Sequence, residues 1–158
     1  MERIKQVQEE GPELNIIRDL FREYEKELDA DLCFQHFEAE MKDPLKKYGG
    51  PGGIILLAYW HDEPAACIAL TPLEEVGYGE MKRLYVRPAF RKYGIGKKLV
   101  EQLIAIAVTA GYRTMRLDTL KKLLPAIRLY ESLGFYYIKF YYQNPLKDVV
   151  FMEKKLIV

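Results

Sequence analysis

The chain has 158 residues, 49% of them hydrophobic and 30% charged, which fits one domain with a sizeable core and an ordinary globular composition. Its 24 Lys and Arg against 23 Asp and Glu leave a formal net charge of +1, without the basic excess of a dedicated nucleic-acid binder. No stretch reaches the apolar length that spans a bilayer, and the opening MERIKQVQEEGPE has no apolar run behind its charges, so it does not read as a signal peptide.

In chain order, residues 3–7 alternate weakly and predict a short first strand. Gly11-Pro12-Glu13 reads as a helix start, and Leu14, Ile17, Phe21, Tyr24 and Leu28 form one apolar stripe, predicting a helix over 12–29. Phe34, Phe37 and Met41 predict a second, shorter helix ending near Pro44. The glycine-rich stretch 48–53 predicts a loop. The apolar run 54–60 has the pattern of a strand buried on both faces, and residues 65–70 return as its hairpin partner.

A further strand ends at Val86, since Pro88 cannot donate a ladder hydrogen bond. Leu99, Leu103, Ile106 and Ala110 recur at helical spacing, predicting a helix over 94–110 capped by Gly111. Strand 113–118, helix 123–133 with Gly134 as its cap, strand 135–142 and strand 149–156 complete the chain. The order is β-α-α-β-β-β-α-β-α-β-β, one α/β domain over 1–158 with a mixed sheet. Cys33, Cys67, His36 and His61 stand apart without metal-ligand spacing, predicting reduced thiols, a cytoplasmic setting and no metal site.

The strand-to-helix junction at 84–100 carries the first chemistry. Gly94-Ile95-Gly96 opens a helix, where free backbone N–H groups and the helix dipole favour a phosphate, and Arg91, Lys92 and Lys97 add positive charge. A dinucleotide fingerprint needs a third glycine, and Lys97-Lys98-Leu99 follows instead. Asp118 lies where that reading would put its ribose acid. A Walker loop needs a different spacing and a hydroxyl after the lysine.

RKYGIG, residues 91–96, resembles the acyl-CoA pyrophosphate motif [QR]xxGx[GA] of the GNAT N-acetyltransferase superfamily. Three more features share the resemblance. Glu80 in GEMKRLYV stands where many members carry a general-base glutamate. AIRLYESLGF, residues 126–135, resembles the family's helix-and-turn signature, with Tyr130 at the general-acid position. YYQNP at 141–145, with FME at 151–153, resembles a bacterial subgroup of mostly unassigned substrate. Two positions depart from the pattern: Lys121-Lys122-Leu123-Leu124-Pro125 replaces a region that often holds a CoA-contacting asparagine, and Lys92-Tyr93 replaces the usual Gly-Lys or Gly-Arg.

The resemblance implies an α/β (α+β) fold with a mixed, mostly antiparallel sheet flanked by helices. It also implies an acetyl-CoA-dependent N-acetyltransferase that acetylates a primary amine by direct attack. The donor site it implies takes Leu84, Tyr85 and Val86 from the strand. Arg91, Lys92, Tyr93, Gly94, Ile95, Gly96 and Lys97 come from the turn, and Thr119 and Ala126 lie further on. Phe34, Tyr141 and Asn144 are the implied acceptor residues, with a small-molecule or peptide amine as partner. Neither nucleic acid nor membrane is implied, and a homodimer is a family-based expectation.

The residue types suit that chemistry. An amine attacks a thioester only as the free base, and a lysine-like amine of pKa ~10 is mostly protonated at neutral pH, so an ionised carboxylate such as Glu80 helps. The departing thiolate needs a proton, which a tyrosine can supply. The carbonyl needs a backbone N–H as it gains charge, here expected near Tyr85. Each assignment has a plainer alternative. Glu80 could simply pair with Lys82 on its strand face. Tyr130 could be a core tyrosine, Arg91 and the glycines a plain helix start, and Asn144-Pro145 a turn that ends a strand. Asp29, Asp31 and His36 could help attract an amine or could cap helices. The functional alternatives are an acyl-CoA-binding sensor without transfer and a nucleotide-binding oxidoreductase.

Overall fold

The computed structural model describes residues 2–28, 36–146 and 148–156. Its elements are β1 (Glu2–Gln6), α1 (Pro12–Leu28), α2 (Phe37–Lys42), α3 (Pro44–Tyr48), β2 (Ile54–Trp60), β3 (Glu63–Pro72), β4 (Tyr78–Val86), α4 (Ile95–Thr109), β5 (Thr114–Leu120), α5 (Leu124–Ser132), β6 (Tyr136–Ile138) and β7 (Val149–Lys155). A 3-10 turn at Pro88–Phe90 follows β4.

This is the expected order with two corrections. The single helix expected before Pro44 is followed at once by another. Pro44 lacks the N–H to continue α2, yet its fixed φ suits the first position of α3. The strand expected over 135–142 is paired only at Tyr136–Ile138, opposite Glu153, Met152 and Phe151. Beyond Ile138 the chain leaves the ladder, and its side chains reach β4 and β5.

The strands form one sheet in the order β1-β2-β3-β4-β5-β7-β6, antiparallel at every pairing except β4 with β5. Leu99, Leu103 and Ala107 of α4 and Tyr130 of α5 pack on one face, against Leu56, Ile68, Leu70 and Met115. Leu14, Ile17 and Phe21 of α1, with Phe37, Met41 and Tyr48, cover the other face over Ile55, Leu57, Cys67 and Ala69. The continuous apolar run of β2 is thereby explained, because alternate side chains serve opposite layers. Both expected glycine caps form: Tyr112 N–H reaches Ala107 O and Phe135 N–H reaches Tyr130 O, each at 3.0 Å, across a left-handed glycine. No described helix is long and apolar enough to cross a membrane.

Two irregularities in β4 shape the rest. Its parallel pairing with β5 covers only Tyr78–Glu80 opposite Thr114–Arg116. Past Glu80 the two strands part and leave a wedge. Within β4, Lys82 faces Ala69 and Tyr85 faces Cys67, so Arg83 and Leu84 together oppose Ile68 in a bulge. Arg83 has φ 61, a conformation unusual for a bulky residue. Its surroundings hold it there. The guanidinium is buried, forks onto both carboxylate oxygens of Glu40 at 3.0 Å each, and lies over the rings of Phe37 and Tyr24.

Candidate active site

The glycine turn lies where the sequence places it. Gly94, at φ 72, is the N-cap of α4, and the left-handed conformation there favours glycine. The helix N-terminus opens on a groove of about 500 Å³ between the end of β4, α1 and α5. Leu84, Tyr85, Val86, Arg91, Gly94, Ile95, Gly96, Lys97 and Ala126 all line it. Beyond Glu80, the backbone groups that β4 presents towards β5 have no ladder partner there, so the strand offers a free edge along the groove.

Other expected donor residues lie elsewhere. Lys92 is exposed outside the groove lining. Tyr93 turns outward and stacks on Trp60, with ring centroids 4.4 Å apart and planes 13° apart. Thr119 lines a deeper cavity within the wedge. Arg91 reaches the groove, where its guanidinium bonds Glu27 Oε2 at 2.5 Å and Val86 O at 2.8 Å. Lys122 lines the groove and donates to Leu28 O, while Lys121 is exposed outside the lining.

The wedge between β4 and β5 holds a cavity of about 60 Å³ lined by Lys82, Leu84, Asp118, Thr119, Ala126, Tyr130 and Asn144, among others. Leu84 and Ala126 border both spaces, so the groove leads into the wedge. Tyr130 enters from α5 with its ring against Phe135. Burial pushes its hydroxyl far above the ordinary tyrosine value, so it stays protonated.

Glu80 stands at the apex, the last β4 residue paired with β5, and is 7% exposed. Its Oε1 faces Lys82 Nζ at 3.4 Å, the strand-face pairing that spacing two apart allows. Its Oε2 accepts the Tyr141 hydroxyl at 2.5 Å. Burial, and then the charge of Glu80, drive the Tyr141 hydroxyl strongly upward, so it is the donor in this bond. The Tyr141 ring packs on Phe151 and Tyr142, with the Arg116 guanidinium 5.0 Å from its centroid. Arg116 is in turn held by Glu153 at 2.8 Å. The two motifs YYQNP and FME therefore interlock physically.

Asp118 holds the same segment from the neighbouring strand. Its Oδ2 accepts the Tyr142 hydroxyl and, at 3.1 Å, the Asn144 amide. Asn144 Oδ1 accepts Leu146 N–H at 2.9 Å, so the expected Asn144-Pro145 turn is present. The segment after β6 is thus fastened to one carboxylate on each splayed strand, and it brings Tyr141 and Asn144 to the site. The sequence reading missed Lys82 as a cavity residue, Asp118 as an anchor and Arg116 as a ring support. The joint presence of YYQNP and FME was the available signal. Phe34, with Asp29 and Asp31, lies outside the described residues. Among the described residues, no cluster of His, Cys, Asp and Glu has the make-up of a metal site.

The arrangement sets a helix N-terminus, an unpaired strand edge and a protonated tyrosine along one continuous path, with the buried Glu80 carboxylate at the apex of the wedge and outside the lining of either space. The Acetyltransferase (GNAT) family profile matches residues 14–135. An uncharacterized N-acetyltransferase of Schizosaccharomyces pombe is 43% identical over 145 residues, spanning 91% of this chain and 89% of the relative. That relative is fungal, so the likeness is not confined to the bacterial subgroup that YYQNP and FME suggested. A GNAT-family acetyltransferase of Staphylococcus aureus shares the fold with a TM-score of 0.79 at 22% identity, over 98% of this chain and 100% of its own. The yncA structure of Salmonella typhimurium, solved with its cofactor acetyl-CoA, gives 0.69 at 20% identity over 98% and 94%. The chain belongs to the acetyltransferase (GNAT) family and is an enzyme of the N-acetyltransferase type.

Proposed function

We propose that this single domain transfers the acetyl group of acetyl-CoA directly to a primary amine, on a small molecule or peptide in the cytoplasm. The observation that carries the proposal is the continuous path from the α4 N-terminus, along the free edge of β4, to the wedge lined by Tyr130, with Glu80 at the apex where the two strands part. The backbone N–H groups around Gly94–Gly96 seat the pyrophosphate, with charge from Arg91 and Lys97. The unpaired edge at Leu84–Val86 bonds the pantetheine amides and presents an N–H to the thioester oxygen.

Glu80 takes a proton from the incoming ammonium, leaving a neutral amine. Its nitrogen attacks the thioester carbon, the C–N bond forms and the C–S bond breaks. Tyr130 protonates the departing sulfur and regains its proton from the new amide nitrogen. The balance is amide, free thiol and one proton held on Glu80 for release to solvent. Direct transfer also fits Cys67. Burial raises its thiol pKa, so it makes a poor thiolate nucleophile.

The test combines binding and turnover. Acetyl-CoA should raise the melting temperature and NADH should not, because a ligand that binds only the folded state stabilises it. A panel of primary amines should then release free thiol. Stabilisation without thiol release from any amine would favour an acyl-CoA-binding sensor, and stabilisation by NADH alone would overturn the family-based donor.

A further inference from the structure

The carboxylate assigned as base is not open to an acceptor. Glu80 Oε2 is covered by the Tyr141 hydroxyl at 2.5 Å, and Oε1 faces the Lys82 ammonium at 3.4 Å. The carboxylate side chain is 9% exposed, while Tyr141 is only half-buried. An amine approaching Glu80 from its Oε2 side therefore meets the phenol first. A tyrosine oxygen can donate one hydrogen bond and accept another at the same time. The ring cannot swing aside without losing its contacts to Phe151, Tyr142 and Arg116.

We propose that Tyr141 is a catalytic residue that relays the acceptor's proton to Glu80. This rests on the transferase reading above and adds to it. An N–H bond of the ammonium breaks and its proton passes to the Tyr141 oxygen. In the same step the Tyr141 O–H bond breaks and that proton passes to Glu80 Oε2. Ammonium and carboxylate become neutral amine and carboxylic acid, and Tyr141 ends as the neutral phenol it began as. No phenolate accumulates, so the strong hold of this buried tyrosine on its proton does not oppose the relay. Lys82 faces the pair from β4 and Arg116 from β5.

The test compares two probe nucleophiles. Ethylamine is protonated at neutral pH and needs the relay, whereas hydroxylamine is already neutral there. Tyr141→Phe keeps the ring and its packing, and melting temperature checks that the fold is intact. This variant should lower kcat/KM for ethylamine by about 10²-fold and for hydroxylamine by less than about threefold. The double variant Glu80→Gln with Tyr141→Phe should be no slower with ethylamine than the slower single variant, since residues acting as one unit are not additive. Rates in mixed light and heavy water should show two protons in flight in the wild type and one in Tyr141→Phe.

Equal losses with both probes, additive losses in the double variant, or an unchanged Tyr141→Phe rate would overturn the relay while leaving the transferase reading standing. Wild-type enzyme that does not accelerate thiol release above the uncatalysed rate with either probe or with any amine of the panel would overturn both.

Discussion

Gly94 and Gly96 sit two positions apart in the same turn, but only Gly94 has a left-handed backbone, with φ 72. A side chain there costs about 1 kcal/mol through its backbone conformation alone. Gly96 lies in regular helix, and an added methyl would meet Val86 and Leu129 at 3.6 and 3.7 Å, ordinary contact distances. Gly94→Ala should therefore lower unfolding stability by about 1 kcal/mol in urea titration. Gly96→Ala should fold at least as well, since alanine is favoured over glycine in a helix. It should nevertheless weaken acetyl-CoA binding in calorimetry, because the proposed pyrophosphate seat needs close approach to the amides of this turn. Also at this scale, Tyr130→Phe should lower turnover several-fold and leave acetyl-CoA affinity unchanged. A wild-type rate would make Tyr130 a packing residue.

Among the elements, α2 and α3 contribute a buried charge cluster beside the site. Glu40 holds the fork of Arg83, and removing one partner of such a buried pair typically costs about 3–5 kcal/mol. Glu40→Ala should thus lower the urea midpoint strongly. It should also reduce turnover in the surviving folded fraction, because the bulge that helps shape the wedge loses its anchor. Lys47 of α3 is 3.7 Å from Glu40 and faces Lys82, Arg83 and Glu80 as well. Burial, and then the charge of Lys82, hold its ammonium down to about 8, against an ordinary 10.5. Between those values the unfolded chain binds the extra proton. The penalty for a charged Lys47 is therefore fully present below pH 8 and is relieved as pH rises through that window. The stability advantage of Lys47→Met over wild type should shrink from pH 8 towards pH 10.5, as read by urea unfolding across that range.

These elements also show what the sequence made legible. The glycine turn, the two-faced burial of β2 and the helix caps rest on local residue types and periodicity, and all formed. The run Tyr136-Tyr137-Ile138-Lys139-Phe140-Tyr141-Tyr142 has strand composition throughout, yet only its first three residues pair. Its later tyrosines are drawn to Glu80 and Asp118, on strands distant in sequence, and local propensity carries no information about such contacts. Nothing around Arg83 signals a left-handed residue either. That conformation is imposed by Glu40, 43 positions away.

For the whole molecule, the seven-stranded sheet separates two helical layers, and the wedge is where they communicate. Tyr130 reaches it from the α4 and α5 side, while Glu80 and Lys82 share a strand face with the α1 side. Two ion pairs join α1 to the segment that follows β4, Glu23 with Arg87 and Glu27 with Arg91. The second places a carboxylate where a pyrophosphate would compete for the same guanidinium. Glu27→Gln should therefore tighten acetyl-CoA binding a few-fold in calorimetry at low salt. The gain should fade as salt is added, because these charges are solvent-exposed.

The stack of Tyr93 on Trp60 has a practical consequence. Trp60 is the only tryptophan in the chain, and its partner sits one residue before the N-cap of α4. Any shift of the turn on closing around a ligand changes the surroundings of that single indole. The protein thus carries its own fluorophore beside the proposed donor seat, and emission excited selectively at tryptophan should change in a saturable way as acetyl-CoA is added. Trp60→Phe should abolish that signal while leaving calorimetric binding intact.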